Sequence, residues 1–132
     1  MQVFAEQVIR LLLAAALSSL IGLEREKSHK PAGLRTHVLV CLGATLATLV
    51  GVYYFTADGG KIVQGIITGI GFLGAGAIIW SKNSVHGLTT AASIWLVAVL
   101  GVAVGVGFYW LSVFFVLLVL LLLRVKRIER KL

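Results

Sequence analysis

The chain has 132 residues, of which 59% are hydrophobic and 13% are charged. A water-soluble domain of this size does not tolerate so large an apolar fraction, so the composition predicts a membrane protein. The formal net charge is +7, but the basic residues lie in short segments between apolar stretches. This pattern excludes a folded basic face for nucleic acid and is typical of signals that orient a membrane protein.

The first apolar segment, residues 3–23, is long enough to cross a bilayer as a helix, because about 20 residues span ~30 Å of hydrocarbon. Glu6 and Arg10 lie four residues apart on it and can pair on one face. Its small residues also repeat every four positions, at Ala14, Ser18 and Gly22. A hydrophilic loop over residues 24–35 follows, and a second span is predicted over residues 36–55.

A glycine-rich segment, residues 62–80, forms the predicted third span and contains no charged residue. Small residues let neighbouring helices approach closely, so this span is expected in the middle of the bundle. The glycines expected to pack are Gly65, Gly69, Gly71, Gly74 and Gly76. Part of the segment matches G-x-G-x-x-G, but its apolar flanks and the lack of a following acidic residue argue against a dinucleotide site.

The uncharged run from Leu88 to Leu123 is too long for one span, since a helix of that length would measure about 54 Å. We therefore predict a turn near residues 105–107, with a fourth span over residues 88–106 and a fifth over residues 108–125. The fifth contains almost no small residues, so we expect it at the edge of the bundle, facing lipid.

The predicted fold is an all-α bundle of five transmembrane helices. Ten of the twelve Lys and Arg residues lie on one side of this topology. The positive-inside rule then places the amino terminus outside and the carboxyl terminus in the cytoplasm.

Polar and ionisable residues that could form a functional site lie at the predicted cytoplasmic ends of the helices. They are Glu24, Arg25, Glu26, Arg35, Thr36, His37, Thr89, Thr90 and Ser93. One hypothesis is a buried polar network or an ion or anion site, helped by helix amino termini. The other is an interfacial arrangement of extended basic side chains and helix caps.

A metal site has weak support in this sequence. Magnesium prefers oxygen ligands, usually one or two carboxylates with retained waters. Only Glu24 and Glu26 are candidates for such ligands, and His37 has no second histidine three or four residues away. No catalytic arrangement of residues can be identified, so an enzyme is not expected, and no cofactor other than Mg²⁺ is considered.

Four blocks of the sequence resemble, in order, the signatures of the MgtC/SapB membrane domain. They are GLEREK at 22–27, PAGLRTHVLVCLGA at 31–44, GIGFLGAGAII at 69–79 and VHGLTTAASIW at 85–95. The resemblance implies a bacterial inner-membrane protein associated with growth at low magnesium and, in some pathogens, with survival inside host cells. It further implies a regulator of magnesium and ATP homeostasis, since some members inhibit the F-type ATP synthase.

Many family members continue into a soluble ACT-like domain, whereas this chain ends shortly after its last predicted span. Two functions therefore stay open at this point. One is a regulatory module that packs against itself, as a homodimer, or against a membrane complex through its glycines. The other is a transporter or channel for Mg²⁺ or another ion, working as a homo-oligomer.

Overall fold

The computed structural model describes residues 1–81 and 83–129, with side chains for all of these except residues 80, 81 and 126–129. Within this part of the chain there are five helices and one short hairpin. They are α1 (Gln2–Lys27), α2 (Leu34–Tyr54), α3 (Gly59–Gly76), β1 (Ile79–Ser81), β2 (Ser84–His86), α4 (Leu88–Val106) and α5 (Tyr109–Glu129). By length and composition α1, α2 and α4 can cross a membrane, and the apolar part of α5, Tyr109–Val125, is shorter.

Helix α4 occupies the centre of the bundle and contacts all four other helices. Its residues Val97, Leu100 and Val104 are buried in the main apolar core, together with residues of α1, α2 and α5. The approach to α2 is especially close, because a Cβ added at Gly101 would lie 2.4 Å from the Cys41 carbonyl oxygen. Glycine at this position lets the two backbones meet, as small residues do in membrane helix pairs.

The glycine-rich helix α3 lies at one side of the bundle, so the expectation that it fills the middle is wrong. Only Ile70 and Gly74 are buried on it. The helix also ends at Gly76, four residues before the predicted end of the third span at residue 80. Just after Gly76, the backbone N–H groups of Ala77 and Ile78 donate to carbonyls in the last turn of the helix. The central position instead belongs to α4, whose own glycines form the close contact with α2.

A two-stranded antiparallel hairpin, β1 with β2, joins α3 to α4. The predicted third span ends at residue 80 and the fourth begins at residue 88, and no hairpin is predicted between them. Gly87 follows it with φ +85°, and a Cβ there would lie 2.0 Å from the Ala77 carbonyl oxygen. Both observations show that only glycine fits at this entrance to α4.

The hydrophilic connection between α1 and α2 is shorter than the predicted loop over residues 24–35. Residues 24–27 continue α1, and α2 begins at Leu34. The two helices lie close together at this end, because a Cβ at Gly22 would be 2.8 Å from Leu34 Cα. This close approach brings the last turn of α1 beside the first turn of α2.

The opposite end of the bundle is held by Arg10, whose side chain is buried. Its Nε donates to Tyr109 Oη at 3.0 Å, and its Nη1 donates to the Gly105 carbonyl at 2.6 Å. Its Nη2 pairs with Glu6, as the spacing on α1 predicts. Arg10 thus connects α1 to the turn between α4 and α5, where Gly107 has a positive φ of +94°.

Helix α5 contacts α1 and α4 and lies at the edge of the bundle. It buries Val116 and Val119 and exposes large apolar side chains on its other face, including Phe114, Leu117 and Leu121. Such a surface suits a lipid environment, because each of these large apolar side chains is 60% or more exposed.

Candidate functional site

A buried polar cluster lies where the end of α1, the first turn of α2 and the start of α4 meet. Arg25, His37, Thr90 and Ser93 are its buried members, with Arg25 3% exposed and His37 fully enclosed. We call these four residues, together with the half-buried Glu24, the polar cluster. Four buried polar side chains at one end of an apolar bundle require specific partners, since unpaired polar groups are costly there.

His37 is held by hydrogen bonds on both ring nitrogens. Its Nδ1 donates to the Gly33 carbonyl at 2.7 Å, one turn earlier on α2. Its Nε2 lies 2.9 Å from Ser93 Oγ, which connects α2 to α4. Because a carbonyl can only accept, the neutral ring carries its proton on Nδ1, and its Nε2 is then an acceptor facing the Ser93 hydroxyl.

Ser93 has a second acceptor within reach, since its Oγ lies 2.8 Å from the Thr90 carbonyl. The hydroxyl has a single proton, which goes either to His37 Nε2 or to that carbonyl. When the proton bonds to the carbonyl, Nε2 of the neutral ring receives no hydrogen bond from Ser93, and only a ring protonated at both nitrogens would restore that contact. The hydrogen-bond pattern around Ser93 is therefore coupled to the protonation of His37.

Arg25 is the buried charged residue of this cluster, and its partners are incomplete. Its Nη1 lies 3.6 Å from Glu24 Oε2, which is a poor ion-pair distance. Within the described part of the chain, no group hydrogen-bonds to Arg25 Nε, Arg25 Nη2 or Glu24 Oε2, and all three atoms are buried. Buried donors and acceptors without partners cost free energy, about 1–3 kcal/mol each and more when charged.

Glu24 is oriented by Ser28, which is not among the predicted site residues. Its Oε1 accepts a hydrogen bond from Ser28 Oγ at 2.9 Å, one turn further along the chain. The i, i+4 spacing of Glu24 and Ser28 is the signal that predicts such a contact.

The other residues expected at this end lie outside the polar cluster. Thr36 is half-buried, while Glu26, Arg35 and Thr89 are exposed. A Cβ at Gly33 would lie 3.2 Å from Glu26 Oε1, so this carboxylate covers the start of α2. These four side chains fit the interfacial hypothesis, whereas the buried members fit the network hypothesis.

The five glycines predicted to pack on α3 have two different surroundings. Gly74 is buried, and a Cβ there would meet Ala91 at 3.8 Å. Added Cβ atoms at the other four positions meet nothing within 4 Å: Gly65, Gly69, Gly71 and Gly76. Of these five glycines, Gly74 is the one that packs against a neighbouring helix in the described part of the chain.

The geometry gives little support to a metal site at Glu24 or Glu26. Among residues 1–81 and 83–129, no group of three or more His, Cys, Asp or Glu side chains could hold a metal ion. Glu24 lies beside the Arg25 guanidinium, whose positive charge opposes a cation at the same position.

Comparison with known proteins connects this architecture to a family. The model of the MgtC family matches residues 11–131. The chain is 42% identical over 130 residues to “Putative magnesium transporter YhiD” of Escherichia coli strain K12, an alignment that covers 92% of this chain and 60% of YhiD. It is 43% identical over 100 residues to Protein MgtC of Salmonella typhimurium strain LT2, covering 76% of this chain and 43% of MgtC.

A third relative, Protein SapB of Bacillus subtilis strain 168, is 38% identical over 112 residues, covering 77% of this chain and 48% of SapB. The chain thus spans 60% or less of the length of these three proteins. No solved structure matches it significantly. The family match covers nearly the whole sequence, and the chain belongs to the MgtC family.

Proposed function

We propose that this chain is a multi-pass protein of the bacterial inner membrane that acts in magnesium homeostasis as a regulatory module. Three helices long and apolar enough to span a bilayer, and the family match, support a membrane location. The excess of Lys and Arg at the end with the α1–α2 connection supports a cytoplasmic position for that end, with the amino terminus outside. All five helices cross the membrane in this proposal.

The observation that carries the regulatory function is the exposed glycine face of α3, formed by Gly65, Gly69 and Gly76. At 100° per residue these three positions fall within about 40° of one another, roughly opposite Gly74. Added Cβ atoms at all three meet nothing within 4 Å, whereas Gly74 faces Ala91 of α4. The glycine side of α3, which is suited to close helix packing, therefore has no partner among the residues that the structure describes.

A shallow groove continues this face towards α2. It has a volume of about 390 Å³ and is lined by apolar residues that include Leu39, Gly43, Ile66 and Gly69. Gly43 and Gly69 both lack neighbours near an added Cβ. A transmembrane helix laid along this groove would meet two glycine backbones, which favours van der Waals contact over contact with lipid.

The partner helix in this proposal belongs to a second copy of the chain or to a membrane complex such as the F-type ATP synthase. In this proposal, binding of the partner helix at the glycine face changes the activity of the partner. No solute has to cross this bundle for that effect.

The test is the substitution Gly69→Leu, with Ala16→Leu on the exposed surface of α1 as the matched small-to-large control. Energy transfer between labelled copies in liposomes measures self-association, and crosslinking in bacterial membranes followed by mass spectrometry detects other partners. We expect Gly69→Leu to abolish association and to impair growth at low magnesium, with Ala16→Leu unchanged. Full association and growth with a folded Gly69→Leu protein would overturn the proposal.

The second candidate function is magnesium transport, and the name of YhiD is the observation that favours it. Glu24 is the half-buried carboxylate available for such a path, and its Oε2 has no hydrogen-bond partner among the described residues. The neighbouring Arg25 guanidinium disfavours a divalent cation there. The geometry therefore supports regulation better than transport.

Magnesium flux into liposomes, followed with an internal indicator, separates the two functions. Regulation predicts no flux beyond that of empty liposomes. Flux that disappears in Glu24→Gln, and persists in Ala16→Leu, would replace the regulatory proposal with a transporter.

A further inference from the structure

We infer that three exposed cations at one end of the bundle, Lys27, Arg35 and Arg124, bind the phosphate groups of anionic phospholipids. They lie on α1, α2 and α5 respectively, at the end that contains the polar cluster, which we call the polar end. The inference rests on the membrane arrangement proposed above, but it does not depend on the docking of a partner helix.

Helices α1 and α5 place Arg124 at the level of the polar cluster. The two helices contact each other, and at the opposite end of the bundle Arg10 Nε donates to Tyr109 Oη at 3.0 Å. From that contact, fifteen residues of continuous helix lead to Arg25 on α1, and fifteen lead to Arg124 on α5. Both residues therefore lie about 22 Å along the bundle from the same point. The apolar part of α5 ends beside Arg124, at Val125.

Helix α2 brings Arg35 to the same end. A Cβ at Gly22 would lie 2.8 Å from Leu34 Cα, so α2 begins beside the last turns of α1. Lys27 is the last residue of α1. The three cations thus lie where the apolar parts of three helices end, which is the level of the lipid headgroups in a membrane.

Charge pairing differs between the two ends of the bundle. At the opposite end, Arg10 is paired with Glu6, and Lys61 Nζ lies 2.6 Å from a carboxylate oxygen of Asp58. At the polar end, none of the three exposed cations forms an ion pair in the described part of the chain. They outnumber the exposed carboxylate of Glu26. Their charge is left for anions outside the protein, and in a membrane the anions at this level are lipid phosphates.

Each of these cations also has an exposed leucine on its own helix, one turn closer to the centre of the bundle. The pairs are Lys27 with Leu23, Arg35 with Leu39, and Arg124 with Leu121. Residues three or four apart share one face of a helix, so each pair offers a positive charge at the helix end and an apolar side chain below it. This combination matches a phosphate group with the first part of its acyl chain. A free anion would use the cation alone, so the pairs favour a phospholipid over inorganic phosphate.

The experiment is native mass spectrometry of the full chain in nonionic detergent with added phosphatidylglycerol. Phosphatidylcholine with the same acyl chains is the comparison lipid, because its headgroup has no net charge. We expect saturable binding of phosphatidylglycerol that is roughly fivefold or more tighter than that of phosphatidylcholine, since one Lys or Arg near a membrane surface contributes about that factor.

Variants then assign the preference to the three cations. The triple variant Lys27→Gln, Arg35→Gln and Arg124→Gln should bind the two lipids equally. Lys61→Gln is the matched control, because it removes an exposed cation that is already paired with Asp58, and it should keep the preference. All four positions are exposed, so the variants should fold, and thermal unfolding checks this.

The inference is overturned if the folded wild-type protein binds both lipids equally, or if the triple variant keeps the preference. Equally tight binding of glycerophosphoglycerol, which is the same headgroup without acyl chains, would also overturn it, because the ligand would then be a free anion. Binding of neither lipid would overturn it together with the membrane arrangement. Gly69→Leu, which alters the glycine face of α3, should keep the lipid preference, so failure of the docking proposal is a separate result.

Discussion

Helices α3 and α4 use their glycines in opposite ways. In α4, Gly101 and Gly105 face α2 so closely that an added Cβ would meet Cys41 or Thr48 at less than 3 Å. In α3, added Cβ atoms at Gly65, Gly69 and Gly76 would meet nothing within 4 Å among the described residues. The number of glycines in a helix therefore does not predict the position of that helix in the bundle. The position depends on whether a neighbouring helix packs against those glycines.

The strongest way to test this comparison is Gly101→Ala. The new Cβ would lie 2.4 Å from the Cys41 carbonyl oxygen and 2.8 Å from Ala44 Cβ, and a backbone carbonyl cannot move aside without shifting the helix. We expect a loss of roughly 1–3 kcal/mol in the free energy of unfolding. Thermal unfolding in detergent measures it, and unchanged stability would contradict a tight α2–α4 contact.

A smaller effect is expected from Thr45→Val. Thr45 Oγ1 lies 3.0 Å from the Gly101 carbonyl oxygen and 2.8 Å from the Cys41 carbonyl oxygen. Its single proton is shared between these two acceptors, so the hydroxyl bridges α2 and α4 at the same contact. Replacing the hydroxyl by a methyl keeps the volume and removes a hydrogen bond between helices, which costs about 0.6–2 kcal/mol in membrane proteins. Thr45→Ser, which keeps the hydroxyl, is the control for the same unfolding measurement.

Gly51→Ala should lower the free energy of unfolding by an amount between those expected for the tightly packed glycines of α4 and the open glycines of α3. Its added Cβ would lie 2.8 Å from Ile62 Cδ1, which is the far end of a flexible side chain that can change rotamer. We expect a cost of about 1 kcal/mol or less. A loss as large as that of Gly101→Ala would show that α2 and α3 are packed as rigidly as α2 and α4.

The smallest effect on stability is expected for Gly69→Ala. Nothing lies within 4 Å of the added Cβ, and alanine favours a helix more than glycine does. The unfolding free energy of the monomer should stay within about 0.5 kcal/mol of the wild type or rise slightly. A clear destabilisation of the monomer would mean that the glycine face already has a partner inside the chain.

The order of apolar segments, the turn between α4 and α5, and the pairing of Glu6 with Arg10 follow from the sequence. Periodic spacing and length are enough for these features, because each depends on residues close together in the chain. The hairpin of β1 and β2 does not follow, since residues 79 and 80 lie within the apolar segment predicted as the third span. Its formation depends on the turn at Gly87, where the chain passes close to the Ala77 carbonyl.

The sequence predicts which polar residues lie at this end of the bundle, but it does not predict which of them are buried together in the polar cluster. The sequence places nine polar residues at one end of the bundle, and it cannot separate Arg25, His37 and Ser93, which are buried, from Arg35 and Thr89, which are exposed. That separation depends on the rotation of each helix about its axis. Close contact at Gly22 sets the relation of α1 to α2 and directs His37 towards Ser93.

By itself, the sequence determined that this protein is built from apolar helices, which end of the bundle is basic and polar, and which family its motifs resemble. These properties are local, because hydrophobicity, charge and glycine content are counted along the chain. Only the tertiary structure decided that α4 is central and α3 peripheral, and that Arg25 is buried. Such properties arise from contacts between distant residues, and many pairings of helix faces satisfy the same local pattern.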